Sequence, residues 1–245
     1  MKIIKYGLCL IFLASFLAGC SGAPASAENS KAAGYYTQLG GGYLQKGRLD
    51  LASLNLEKAI ELDPGSADTH HFYALLQEKL RDDGKALEHF RKALQLDGKN
   101  SALLNNYGSH LCRTGDYNGA EQAFMSAVSD PLYKTPEFAY TNAGICVRKQ
   151  GDSEKAESYF RKALQYNPRF PEALYQMARI SQEKRDNTKA QAFLYRYNDA
   201  APATPDTLLL CYQIESALNE PAKAESCAVA LRSKFPESTA ASQIN

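Results

Sequence analysis

The chain has 245 residues, 44% hydrophobic and 22% charged, an ordinary globular composition with room for one substantial domain or two small ones. Its 28 basic and 27 acidic residues leave it near neutrality, which argues against a nucleic-acid-binding protein, since those carry a basic surplus. Six cysteines take their meaning from the redox compartment, so the N-terminus has to be read first.

Residues 1–19 read as a lipoprotein signal peptide. Lys2 and Lys5 form a positive n-region, and Tyr6 to Phe16 form an apolar stretch too short to span a membrane as a stable helix. Leu17-Ala18-Gly19-Cys20 follows, a quartet identical to the lipobox of bacterial lipoproteins. That resemblance implies a diacylglycerol thioether on Cys20, cleavage before it, and acylation of the new amino terminus. Two or three acyl chains hold a protein firmly where one holds it only marginally. The competing readings are an ordinary signal peptide with an incidental cysteine, or an N-terminal anchor. Ser21 is not the aspartate that commonly retains such lipoproteins at the inner membrane, so the expected location is the periplasmic face of the outer membrane. Residues 20–32, rich in Ser, Ala, Gly and Asn with Pro24, are expected to be a lipidated cysteine and flexible tether.

Residues 33–245 repeat. Pro64, Gly98, Pro168, Pro202 and Pro236 are in phase at 34 residues, apart from two extra residues near Pro131 to Pro136. The first copy carries Tyr36, Leu39, Gly40 and Tyr43, then Ala52, Leu56 and Ala59. Tyr73, Ala74, Ala86, Phe90 and Ala93 mark the second copy, Tyr107, Gly108, Ala120, Phe124 and Ala127 the third. Tyr140, Gly144, Ala156, Phe160 and Ala163 mark the fourth, Met177, Ala178, Ala190 and Leu194 the fifth, Cys211, Ala224 and Leu231 the sixth. Tyr197 and Tyr212 depart from the pattern, standing where a small residue is usual. A small residue in the first helix lets its partner approach, and the aromatic of the second helix fills the space. The pattern resembles the tetratricopeptide repeat and predicts an all-α fold: a TPR solenoid, a right-handed superhelix of about six helix-turn-helix repeats.

In an oxidising periplasm, two cysteine pairs become candidate disulfides. Cys112 and Cys146 are 34 apart on the first helices of repeats three and four; Cys211 and Cys227 are 16 apart on the two helices of repeat six. Four buried free thiols remain the alternative. No Gly-rich phosphate loop, nucleophile elbow or paired zinc-ligand motif appears, so no catalytic activity, cofactor, metal or small-molecule substrate is expected. His70 and His89 fall on facing helices of repeat two and can approach one another, but without further ligands they read as surface or partly packed side chains. A protein-binding groove is expected on the exposed side of the first helices. Projecting the repeat gives Thr37, Gly41 and Leu44, then His71, Leu75 and Glu78, then Asn105, Ser109, Arg113, Thr141, Ile145, Arg148, Tyr175 and Arg179. That surface suits an extended or helical peptide with acidic or carbonyl groups.

The central stretch is more specific. Asn105-Asn106-Tyr107-Gly108, Leu111-Cys112, Asp130-Pro131-Leu132-Tyr133, Pro136 and Asn142-Ala143-Gly144-Ile145-Cys146, together with the lipobox and six repeats, resemble the type IV pilus biogenesis and stability lipoproteins, the pilotins of the pilus secretin. The resemblance implies a lipoprotein that binds the secretin and promotes its outer-membrane localisation and multimerisation. The rival expectations are a scaffold lipoprotein for outer-membrane protein assembly or for periplasmic hydrolases, and an enzyme with an unrecognised site.

Overall fold

The structure, a computed structural model, describes residues 26–244; the signal peptide and Cys20 lie outside them. Twelve α-helices pair in order: α1 (Ala27–Gln45) with α2 (Leu49–Leu62), α3 (Ala67–Lys79) with α4 (Asp83–Leu96), and α5 (Ser101–Thr114) with α6 (Tyr117–Val128). Then come α7 (Pro136–Lys149) with α8 (Ser153–Tyr166), α9 (Pro171–Glu183) with α10 (Asn187–Ala200), and α11 (Pro205–Ala217) with α12 (Pro221–Lys234). A 3-10 turn at Ala241–Ile244 packs Ala241 and Ile244 against Leu231 and closes the C-terminal end. No strand occurs among the described residues. The predicted TPR solenoid of six helical pairs is the observed fold.

One contact sets the period. Positions 40, 74, 108, 144, 178 and 212 step by 34 residues, with 36 between Gly108 and Gly144; positions 56, 90, 124, 160, 194 and 228 keep the same steps. The two rows meet within each repeat. A Cβ on Gly40 would lie 2.5 Å from Leu56, one on Gly108 2.8 Å from Phe124, and one on Gly144 2.6 Å from Phe160. Phe90, Phe124 and Phe160 are fully buried. The sixth repeat exchanges the sizes: Tyr212 stands on the first helix and the buried Ala228 on the second, in one cluster, so volume is kept while the pattern fails. Tyr197, the other departure, is buried and donates its hydroxyl to the Pro202 carbonyl at 3.3 Å.

The turns inside the pairs repeat as strictly. Gly47, Arg81, Gly115, Gly151, Arg185 and Asn219 all have positive φ, each just before the residue that caps the second helix. Gly115 and Gly151, at φ 96° and 99°, reach a conformation that side chains resist. Asp82, Asp116, Asp152 and Asp186 then accept backbone N–H groups of the following helix at 2.9 to 3.1 Å. Asp82 and its three counterparts are thus helix caps. The two extra residues lie between α6 and α7: that link runs over 129–135, whereas the other links between pairs have four residues.

The expected tether is shorter at its C-terminal end. The Ser26 hydroxyl accepts the Asn29 N–H at 3.1 Å, and residues 27–32 are helical. Small and polar composition suggested a flexible segment, but alanines and a lysine behind a serine cap are good helix formers.

Both expected cysteine pairs lie at disulfide distance. Cys112 on α5 reaches Cys146 on α7 with Cα atoms 5.7 Å apart, and Cys211 on α11 reaches Cys227 on α12 at 6.0 Å. The first joins neighbouring repeats; the second closes one hairpin. Glu157 on α8 ties the next pair to its own, meeting Lys184 at 2.7 Å, Arg161 at 2.6 Å and Lys189 at 3.4 Å. Its hydrogen bond with Lys184 is the largest cause, and the carboxyl is held at about 2.

Three outcomes follow. Gly144→Val should lower the unfolding free energy by about 2 kcal/mol by overpacking against Phe160, while Gly34→Ala, on an open face of α1 with nothing within 4 Å, should raise it by about 1 kcal/mol; urea titrations read both, and equal signs would refute the packing account. Removing the Cys112–Cys146 bridge, with its separation of 34, should cost about 4 kcal/mol, and the Cys211–Cys227 bridge, at 16, about 3 kcal/mol, so the first loss must be the larger. A carboxyl depressed from 4.5 to about 2 adds stability above pH 4.5 that disappears as pH falls toward 2. Glu157→Gln should therefore cost about 1–2 kcal/mol at pH 7, reduced by the exposure of its partners, and nothing near pH 2.

Candidate functional site

The odd-numbered helices touch one another along the stack: α1 meets α3, α5 meets α7, α7 meets α9 and α9 meets α11, while consecutive even helices hold no comparable contact. The stack therefore curves with the odd helices on its inner side, and their free faces line the groove.

Polar side chains join each odd helix to the next. Thr37 and Thr69 share a hydroxyl hydrogen bond at 2.7 Å between α1 and α3. His71 meets Asn106 at 2.8 Å between α3 and α5. Asn142 on α7 donates to Asn105 at 3.1 Å and to Ser109 at 3.4 Å. Gln182 and Gln213 link α9 to α11 at 3.4 Å.

These ties change the role of the expected arginines. Arg113 donates to Glu78 at 2.8 Å and pairs with Asp83 at 2.7 Å; Glu78 also meets the buried His110. Arg148 donates to Gln176 at 2.7 Å and pairs with Glu183. Both guanidiniums hold neighbouring repeats together. Arg179 is the freer one: it lies over the Tyr175 ring at 5.7 Å and reaches Glu183 only at 4.0 Å. Burial pushes the Tyr175 hydroxyl above its ordinary pKa.

The projected residues divide accordingly. Thr141 is 1% exposed and its hydroxyl has no hydrogen-bond partner, so it lies under the groove rather than in it. Thr37 and His71, its counterparts in the repeat, are buried as well. At these three positions the row turns beneath the next odd helix, a tilt that a repeat projected in isolation does not contain, while Asn105 and Tyr175 in the same row are only half-buried. Leu44 and Leu75 are half-buried in the cores of the first two repeats. Asn105 and Ser109 remain at the surface of the ladder.

What stays open lies toward the C-terminal half. Ile145, Arg148, Lys149, Gln176 and Arg179 surround a depression of about 240 Å³ between α7 and α9. A second one, of about 350 Å³ between α9 and α11, is lined by Tyr175, Arg179, Gln182, Glu183, Asp206 and Gln213, among others. Lys149, Glu183 and Gln213 were missed from sequence. They were legible there: Lys149 lies 36 residues after Arg113, Glu183 34 after Lys149, and Gln213 34 after Arg179. The groove thus offers donors, acceptors and apolar floor along adjacent helices, which suits an extended peptide.

Comparison with known proteins agrees with this architecture. The tetratricopeptide-repeat family matches residues 33–66 and 67–100 in one form and 147–210 in another. The type IV pilus assembly protein PilF of Pseudomonas aeruginosa is 31% identical over 203 residues, 83% of this chain and 81% of that protein. The solved structure of Pseudomonas aeruginosa PilF superposes with a TM-score of 0.81 at 29% identity, over 89% of this chain and 98% of that one. The crystal structure of PilW, a widely conserved type IV pilus biogenesis factor, gives a TM-score of 0.79 at 30% identity over 86% and 97%. The chain belongs to the tetratricopeptide-repeat family of type IV pilus biogenesis factors that includes PilF and PilW.

Proposed function

We propose that this chain is an outer-membrane lipoprotein that serves type IV pilus biogenesis by binding the pilus secretin and promoting its passage to the outer membrane and its multimerisation. The observation that carries the reading is the match to the pilus assembly protein PilF across four fifths of both chains. The lipobox ending at Cys20 supports the membrane half, and the open groove between α7, α9 and α11 supports the binding half.

The two halves divide the work physically. The solenoid grips a secretin subunit through the inner faces of its odd helices, and the acyl chains on Cys20 supply the destination. A protein bound to an acylated carrier travels with it and is held in two dimensions, which raises the local concentration of subunits for ring assembly.

Cys20→Ala tests the division. In cells carrying this variant, secretin multimers in the outer-membrane fraction should fall at least ten-fold, while the purified variant still binds a secretin subunit. Unchanged multimers in the outer membrane would overturn the proposal.

A further inference from the structure

From α3 onward, each odd helix turns one row of side chains under the pair before it. On α1 the same row is Tyr35, Leu39 and Gly42, and it recurs at the steps of the repeat on the other five odd helices. Thr69, Leu103, Ala139, Ala173 and Thr207, the counterparts of Tyr35, are all buried. So are Leu76, His110, Cys146, Ile180 and Ile214, the counterparts of Gly42. The cover comes from the preceding pair: Leu103 packs with Phe90 and Ala93 of α4, and Cys146 shares a cluster with Ala120 and Phe124 of α6. No pair precedes α1 among the described residues, and there the row is open. Tyr35 is 61% exposed, and a Cβ on Gly42 would meet nothing within 4 Å.

The two ends of the stack are thus finished differently. The 3-10 turn that packs on Leu231 closes the C-terminal end, and a solenoid end in water needs such a cap. The N-terminal end keeps an aromatic, uncharged row. Over 32–45, α1 has no charged side chain, and the Tyr35 ring meets Tyr36 edge-on with centroids 5.8 Å apart. Leu54 on α2 is 64% exposed, whereas its counterparts Glu88, Gln122, Ser158, Ala192 and Ser226 are polar or small. Repeat one, which carries these apolar side chains outside, is the copy nearest Cys20, six residues ahead of the Ser26 cap.

We propose that the outer row of α1 rests on a phospholipid surface, a reading that builds on the proposed acylation of Cys20. Lipid takes the place that a preceding helical pair takes in the other five repeats. Tyrosine suits that boundary, since its ring is apolar and its hydroxyl stays among the headgroups. The row brings no carboxylate to an anionic headgroup layer. The contact is shallow, because α1 packs its opposite face on α2 through Gly40 and Leu56. A patch of this size binds weakly alone; an acyl anchor six residues from the helix makes the contact intramolecular, so a weak affinity suffices. Two attachments, the acyl chains and α1, then fix the orientation of the stack on the membrane, where one would leave it free to turn.

The chain has no tryptophan, so a single one reports its own surroundings. The test reconstitutes the full chain, purified from membranes, into vesicles of phosphatidylethanolamine and phosphatidylglycerol containing lipid spin-labelled at the headgroup. Tyr35→Trp should shift its emission to the blue and lose at least half of it to the label, while Tyr195→Trp, at an exposed site in repeat five, should keep its emission. Gly42→Asp, added to Tyr35→Trp in open space on the same row, should at least halve the quenching with circular dichroism unchanged. Quenching of Tyr35→Trp no greater than that of Tyr195→Trp would overturn the proposal. So would quenching that Gly42→Asp leaves unchanged, which is nearness through the tether alone. A blue shift that needs no lipid and grows with protein concentration places a second copy on the row and overturns it too. The mass of the Cys20 peptide separates the two readings. An unacylated Cys20 removes the anchor and this contact together, whereas an acylated Cys20 with equal quenching at both sites removes the contact alone.

Discussion

The structure depends on the close approach of two helices at a point where one of them has almost no side chain. Gly40, Gly108 and Gly144 leave room for Leu56, Phe124 and Phe160, and the buried side chain fixes both the spacing and the crossing of the pair. Once that crossing is set, a pair has an exposed apolar flank that only another pair can cover. Phe90 shows this: it packs on Ala74 of its own repeat and on Leu103 and Tyr107 of the next. Repetition is therefore the way each unit completes its own core.

A stack built this way is strong along its hydrophobic seam but has little to fix the angle between repeats. The polar ladder on the inner face supplies that. Arg113, Arg148 and Asn142 each span from one odd helix to the next, and the Cys112–Cys146 bridge does so covalently at the centre. These side chains set the curvature of the groove and so shape it without needing to touch a partner. The surface left open is narrower than the whole inner face, and it is concentrated where Ile145, Tyr175 and Arg179 stay accessible.

Much of this was legible in the residues because the repeat is a period, and a period is a one-dimensional signal. Gly108 and Gly144 announced their helix crossings, the two extra residues showed at the α6–α7 link, and both cysteine pairs followed from their spacings. Three features were not legible. Thr141 looked like a groove residue because a single repeat was projected, whereas its burial arises from the tilt between repeats. Arg148 looked like a free cation because its partners Gln176 and Glu183 are about thirty residues away in sequence. The exchange of sizes between Tyr212 and Ala228 looked like a broken repeat, since each position was judged without its spatial neighbour. Local chemistry was readable in every case; what escaped was which surfaces neighbouring copies cover.

The early start of α1 carries a geometric consequence. Six peptide steps separate Cys20 from the capping Ser26, and fully extended they span about 20 Å. The nineteen residues of α1 alone are about 28 Å long. With the proposed anchor at Cys20, the leash is shorter than the first helix it holds. Repeat one could then move over the bilayer surface only within a shallow layer, and repeats four to six would swing about it as the free arm. A partner reaching the open groove would be presented at the far end of that arm, while anything touching repeat one would do so next to the lipid.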